Sequence, residues 1–271
     1  MKLSVVAFLS TSRCKGLGFE AESFERIFKE TSQMGYDGVE LFVDDIDRFD
    51  ARKVGEIANS KGMSLSSIDT SAVFLKRGLS FTDADHGKRE KAVENVIQYI
   101  QGASVLDSYV TLSLVRGSKG SGNRKAVGRA LRCIKRCCQT AKNLGVVLLL
   151  EPLNRYEIDF INTLEEARSV VKEIGPESLG LLADTFHMNI EERSIEDPLL
   201  SVRDMLKHVH VADSNRLAPG MGHLNFERLV NVLKSIGYDR YLTVEIIPKP
   251  SMNIAFEKAA ESLRPLISQI A

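Results

Sequence analysis

Apolar positions along the chain follow two alternating rhythms. Short runs in which nearly every residue is apolar, such as Val146-Val147-Leu148-Leu149-Leu150, alternate with longer stretches whose apolar residues recur every three or four positions. The first pattern suits a strand buried on both faces, and the second suits a helix that packs one side. Strands are predicted near residues 3–9, 37–42, 64–69, 108–115, 146–151, 179–184, 207–212 and 240–246. Helices are predicted near 20–34, 50–61, 86–103, 123–143, 163–174, 195–206, 225–236 and 252–269. Strands alternating with helices imply an α/β fold with a parallel sheet, and eight such units in 271 residues imply closure into a (β/α)8 barrel. No Pro/Ser-rich linker divides the series, so residues 1–271 are read as one domain.

A looser repeat runs beneath this pattern. Several helices end at a glycine, and the strand that follows closes on an acid. Gly35 precedes Asp37-Gly38-Val39-Glu40, Gly62 leads to Asp69, Gly145 to Glu151, Gly175 to Asp184 and Gly237 to Glu245. A glycine after a helix meets the left-handed backbone that a helix stop requires. The acids are harder to explain by folding. In a parallel barrel those strand ends meet on one rim, where they would repel one another unless a cation joins them. One such acid alone would read as a solvated loop start or a helix cap. Three of them with a histidine on the remaining strand read as a metal site.

That histidine lies in His208-Val209-His210-Val211-Ala212-Asp213. Alternation puts His208 and His210 on one face of the strand. His210 is nearer the strand end and is the expected ligand, while His208 is expected to be a hydrogen-bonded group one layer deeper. Glu151, Asp184, His210 and Glu245 thus form the candidate donor set. Three carboxylates and one imidazole suit one divalent ion in six-coordination, Mn2+ first, with Mg2+ or Co2+ as alternatives and Zn2+ left open.

Composition narrows the picture. Lys+Arg and Asp+Glu both number 36, so the formal net charge is zero, which argues against a nucleic-acid partner. No apolar run approaches the length of a membrane span. The four cysteines form no CxxC pair, and Cys133, Cys137 and Cys138 crowd one predicted helix as packing residues, which fits a reducing cytoplasm. Gly16-Leu17-Gly18 is too weak to signal a dinucleotide cofactor.

The motif residues Glu151-Pro152-Leu153-Asn154-Arg155-Tyr156-Glu157, Asp184-Thr185-Phe186-His187-Met188-Asn189, His210-Val211-Ala212-Asp213-Ser214-Asn215-Arg216, Pro219-Gly220-Met221-Gly222 and Val244-Glu245 together resemble the ketose 3-epimerases. These are the D-tagatose and D-psicose 3-epimerase group of the xylose-isomerase-like TIM barrels. The resemblance covers roughly residues 145–246. It implies that Glu151, Asp184, His210 and Glu245 are the metal ligands, that Glu151 and Glu245 are also the two acid/base residues, and that Glu157, His187 and Arg216 hold substrate oxygens. It also implies a sugar substrate and a homodimer or homotetramer. The expected reaction is inversion at C3 of a ketose through an enediolate. Two bases on opposite faces of a carbon epimerise it, whereas one base would shuttle a proton between carbons.

Related barrels supply alternatives: hydroxypyruvate isomerase, inosose dehydratase and sugar-phosphate isomerase. The last gains some support from Arg116-Gly117-Ser118-Lys119-Gly120-Ser121-Gly122-Asn123-Arg124-Lys125, whose glycines and basic residues could cradle a phosphate or form a solvated loop. An apurinic-site endonuclease is remote, because the strand ends offer Asp69 and Ser113 where a three-metal cluster needs histidines. A catalytically silent sugar-binding barrel would have no use for paired glutamate bases. Residues 71–86, with Phe74, Leu75, Leu79 and Phe81, are expected to form a lid.

Overall fold

The computed structural model describes residues 1–9, 24–120 and 123–268. Gly16-Leu17-Gly18, Cys14 and the first residues of the helix predicted from 20 lie outside that set. Eight parallel strands close into a barrel in sequence order, with β1 pairing both β2 and β8. They are β1 (Lys2–Leu9), β2 (Gly38–Val43), β3 (Ser64–Asp69), β4 (Tyr109–Leu112), β5 (Leu148–Leu150), β6 (Leu179–Asp184), β7 (Leu206–Val211) and β8 (Tyr241–Val244). Among the described residues ten helices accompany them: α1 (Phe24–Gln33), α2 (Ala51–Ser60), α3 (Ser71–Leu75), α4 (His86–Leu106), α5 (Arg124–Asn143), α6 (Leu164–Ile174), α7 (Thr185–Glu191), α8 (Glu196–Ser201), α9 (Phe226–Ser235) and α10 (Met252–Ser268). The predicted α/β barrel is the observed fold.

Local chemistry explains the helix boundaries. The side chains of Asp50, Asp85, Asn123 and Asn225 each accept a backbone N–H at the start of α2, α4, α5 and α9. Thr163 and Glu166 cap α6 reciprocally. The five glycines of the repeat all have positive φ, from 65° at Gly62 to 121° at Gly175. Cys133, Cys137 and Cys138 are free and buried on α5.

Four predicted boundaries move. The helix predicted to 206 stops at Ser201. Leu181 N–H donates to the carbonyl of Met205, which draws residues 202–205 into a turn feeding β7. Strand β4 ends at Leu112, and residues 114–116 wind into a 3-10 turn that buries Arg116. Strand β5 is confined to three residues. Strand β8 ends at Val244, leaving Glu245 just beyond it.

The barrel interior is partly polar. Ser67 and Thr111 hydroxyls lie 2.7 Å apart, Ser4 bonds to Thr243, and Glu40, His208 and His210 form a buried cluster. Outward-facing Leu, Ile and Val residues of the strands pack under the helices. This division matters because the polar column leads upward to the rim where the strand-end acids gather.

Candidate metal centre and pocket

Glu151 follows β5, Asp184 ends β6, His210 lies on β7 and Glu245 follows β8. Four consecutive strand ends therefore deliver one donor each. Their ligand atoms all lie within 4.8 Å of one another. Nδ1 of His210 sits 2.9 Å from Glu245 Oε2, 3.3 Å from Glu151 Oε1 and 3.8 Å from Asp184 Oδ2. Despite this crowding, Glu151 Oε1 and His210 Nδ1 are buried without a well-aligned hydrogen bond. Buried acceptors left in that state are costly, and a divalent cation at their point of convergence would satisfy them together. The four residues therefore fit a metal ion.

Electrostatics point the same way. Burial, with Glu245 and Asp184 adding repulsion, pushes the Glu151 carboxyl up to about 8. Burial also opposes ionisation of Asp184, but Arg216, His187 and His210 outweigh it and hold that carboxyl well below its ordinary value. Glu245 is lowered in the same manner by Arg216 and His210. His210 loses basicity to burial, but Glu40 and Glu245 more than restore it and raise its pKa well above the ordinary imidazole value. Without an ion, protons and Arg216 balance the carboxylates.

Glu40, read in the sequence as an acid that closes its strand, stands earlier in it and orients His210. Glu40 stands in mid-strand on β2, 1% exposed, and its Oε2 lies 3.0 Å from Nε2 of both His210 and His208. Burial raises the Glu40 carboxyl, but the two histidines together lower it to about 2, so it is an anion. An anion there requires N–H at His210 Nε2, which leaves Nδ1 as the ring atom that meets the acids above. The trio Glu40, His208 and His210 could itself be taken for an ion site. Its two imidazole nitrogens instead share one carboxylate oxygen, which makes it a hydrogen-bonded support. His208 is fully buried, contacts Thr243 Oγ1 at 2.7 Å, and is the deeper group the sequence predicted.

Asp184 does two jobs. Its Oδ1 accepts the backbone N–H groups of Phe186 at 2.8 Å and His187 at 3.3 Å, capping α7, while Oδ2 faces the site. The cap fixes where His187 points. Nδ1 of His187 accepts the Asn154 backbone N–H at 3.3 Å and must be unprotonated, so its proton resides on Nε2. Asn154 also donates to Glu157 Oε1 at 2.9 Å and holds it at the edge of the pocket. The sequence reading did not assign Asn154 a role.

Arg216 has φ 61° and donates 2.6 Å hydrogen bonds to Asp184 Oδ2 and Glu245 Oε2, with its guanidinium over Phe186 at 4.9 Å. It does not pair with Asp213. That carboxylate collects the N–H groups of Ser214, Gly220 and Leu224 instead. A Cβ on Gly222 would lie 2.3 Å from Asp213 Oδ1. The Gly220-Met221-Gly222 turn is thus shaped around Asp213.

The pocket at this rim has a volume of roughly 160 Å3. Glu40, Asp69, Ser71, Leu75, Ser113, Glu151, Glu157, His187, Arg216 and Glu245 are among the residues that line it. In the expected lid, Phe81 is fully buried and belongs to the core, whereas Leu75 borders the pocket. Of residues 116–125, read as a phosphate cradle or a solvated loop, Ser121 and Gly122 lie outside the described residues, and Arg116 belongs to neither arrangement. Arg116 is fully buried and donates to the carbonyls of Ser113, Glu151 and Ile161 at 2.9, 2.6 and 3.1 Å. Its guanidinium is committed to the backbone.

Residues 28–266 match the sequence pattern of the xylose isomerase-like TIM barrel family. Over 124 residues the chain is 41% identical to 3-dehydro-D-guloside 4-epimerase of Escherichia coli K12, covering 46% of each protein. Over 140 residues it is 38% identical to D-psicose 3-epimerase of Enterocloster bolteae, covering 52% of this chain and 46% of that one. Both matches thus span about half the length of the relative. A solved L-ribulose 3-epimerase structure superimposes with a TM-score of 0.85 at 22% identity, over 98% of this chain and 94% of that one, and shares the fold.

Proposed function

The chain belongs to the xylose isomerase-like TIM barrel family, and from that premise we propose that it is a divalent-metal-dependent sugar epimerase that inverts C3 of a ketose. Its homologues are ketose 3-epimerases, enzymes of the isomerase class that act on sugars. The observation that carries the reading is the convergence of Glu151, Asp184, His210 and Glu245, with two of their buried atoms unsatisfied.

Glu151, Asp184, His210 and Glu245 would hold a divalent ion, Mn2+ suiting this oxygen-rich donor set, and the ion would supply Lewis acidity beside the ketone. Glu151 and Glu245 reach the pocket from different strands. One removes the proton beside the ketone, and the other delivers a proton to the opposite face. His187 offers its Nε2–H to the substrate oxygen that gains negative charge, because Asn154 already occupies Nδ1. Arg216 and Glu157 bind hydroxyls beside the reacting carbon. The enzyme works as a cytoplasmic homodimer or homotetramer.

A second reading is favoured by the match to the 4-epimerase. There the same pair of glutamates would invert C4 of a 3-keto sugar, again a carbon next to a ketone. One experiment separates them. The purified protein is incubated with Mn2+ in D2O with D-fructose, D-tagatose, L-ribulose or a 3-keto-glucoside, and products are read by NMR. Inverted ketose with deuterium at C3 is expected. Turnover of the 3-keto sugar alone selects the second reading, and no exchange into any substrate sinks both.

A further inference from the structure

The starts of the strands enclose a second cavity, at the end of the barrel opposite the candidate ligands. Its volume is roughly 390 Å3, within the span of about 300–1,000 Å3 that small-molecule sites occupy. Lys2 and Ser66 near the starts of β1 and β3, Ser108 and Tyr109 at the start of β4, and Arg240 and Tyr241 at the start of β8 line it.

Two buried hydroxyls in this cavity have no partner. Ser66 is 2% exposed and Ser108 8%, and neither Oγ makes a hydrogen bond. Leaving a buried hydroxyl unpaired is costly. Ser66 is also the extra residue of a register shift, since Leu65 and Ser67 of β3 oppose the consecutive residues Val39 and Glu40 of β2. A shift of this kind re-aims a side chain.

Two cations stand beside the hydroxyls. Arg240 Nη1 donates to the Tyr109 hydroxyl and so joins the start of β8 to that of β4. Lys2 Nζ lies 5.6 Å from the centroid of the Tyr241 ring. Among the described residues, neither cation has a carboxylate as ion-pair partner. Burial, and then the charge of Arg240, lowers the pKa of Lys207 on the neighbouring β7, so positive charge meets positive charge at this end of the barrel. Asp107 and Asp239 also line the cavity, but both are exposed, where water and salt screen them.

Arginine and lysine can only donate hydrogen bonds, and a serine hydroxyl is free to do so. The four donors come from the starts of four different strands, so they surround the cavity. A phosphoryl group has three terminal oxygens that accept from several directions, whereas a flat carboxylate offers two. We propose that Lys2, Ser66, Ser108 and Arg240 form a binding site for a phosphoryl group at the closed end of the barrel. Leu65, Tyr109 and Tyr241 give apolar surface to the remainder of a small phosphate ester. The inference does not depend on which sugar, if any, reacts at the other end.

Calorimetric titration of the Mn2+-loaded protein, dialysed free of excess metal, tests this with phenyl phosphate, inorganic phosphate and benzoate. Phenyl phosphate should bind, and Arg240→Gln and Ser66→Ala should each weaken it roughly 10-fold or more. Ser66→Ala deletes a hydroxyl that has no partner in the free protein. Its melting temperature without ligand should therefore equal or exceed that of wild type. Affinity lost without stability lost is a pair of results that a merely structural serine does not give. Phenyl phosphate binding more tightly than inorganic phosphate assigns the site to an ester, and the reverse order assigns it to the free ion. No binding up to about 10 mM, benzoate binding as tightly as phenyl phosphate, or unchanged affinity in Ser66→Ala or Arg240→Gln overturns the inference. So does affinity that is lost in Arg216→Gln instead, which moves the anion to the metal end of the barrel.

Discussion

At the scale of single residues, the centre is a contest between protons and a metal for the same lone pairs. Glu151→Gln and Glu245→Gln should each lower kcat by roughly 10²- to 10⁴-fold. A variant that still binds metal but lacks the returning base should exchange the C3 hydrogen with solvent without inverting the carbon, which NMR in D2O detects. Exchange and inversion falling in step in both variants would argue against two separate bases. Glu40→Gln removes the anion beneath His210. Metal affinity should fall about 10- to 100-fold, as is typical when a histidine ligand loses its carboxylate partner. Calorimetric titration with Mn2+ reads this directly, and unchanged affinity would show that Glu40 supports only the fold. The four candidate ligands were legible because a charge at the end of a buried strand needs a reason. Glu40 was legible only as an acid at a strand end, because the sequence does not show that β2 runs on to Val43 or that this carboxylate meets a histidine from β7.

At the scale of elements, the alternation of buried runs and amphipathic stretches was enough to find all eight strands and the long helices. Helices α3 and α7 escaped because five and seven residues complete too few turns to display a period. Both lie at the rim, where Asp69, Ser71, Asp184 and His187 are presented. At the turn after β4 only Arg116 departs from the expected loop, since a sequence cannot tell a solvated arginine from one wrapped in carbonyls. Arg116 joins the ends of β4 and β5 to the loop that carries Ile161. Arg116→Met should destabilise the fold by about 3 kcal/mol, because several buried carbonyls lose a charged donor at once. Urea denaturation measures it, and a loss under about 0.5 kcal/mol, the range of ordinary surface changes, would mean that other donors can replace the guanidinium.

At the scale of the whole molecule, the zero net charge conceals a strongly acidic interior at one end of the barrel. Before an ion enters, raised pKa values at Glu151 and His210 mean that protons are bound there near neutrality. Metal must displace them. Loading should therefore release protons, and apparent affinity should rise with pH until the Glu151 value of about 8 is passed. Titrations in two buffers of different ionisation enthalpy count the protons. Zero release, or affinity that falls as pH climbs toward 8, would place the ion elsewhere.

The link from Glu40 to His210 spans the two halves of the chain, for the candidate ligands all come from β5 onward while the carboxylate comes from β2. A chimera that joined the second half of this protein to the first half of another barrel would inherit every ligand and still bind metal weakly, unless the new N-terminal half carried an acid at the position of Glu40. Recombination among such barrels is thereby restricted to partners that bring this one buried acid.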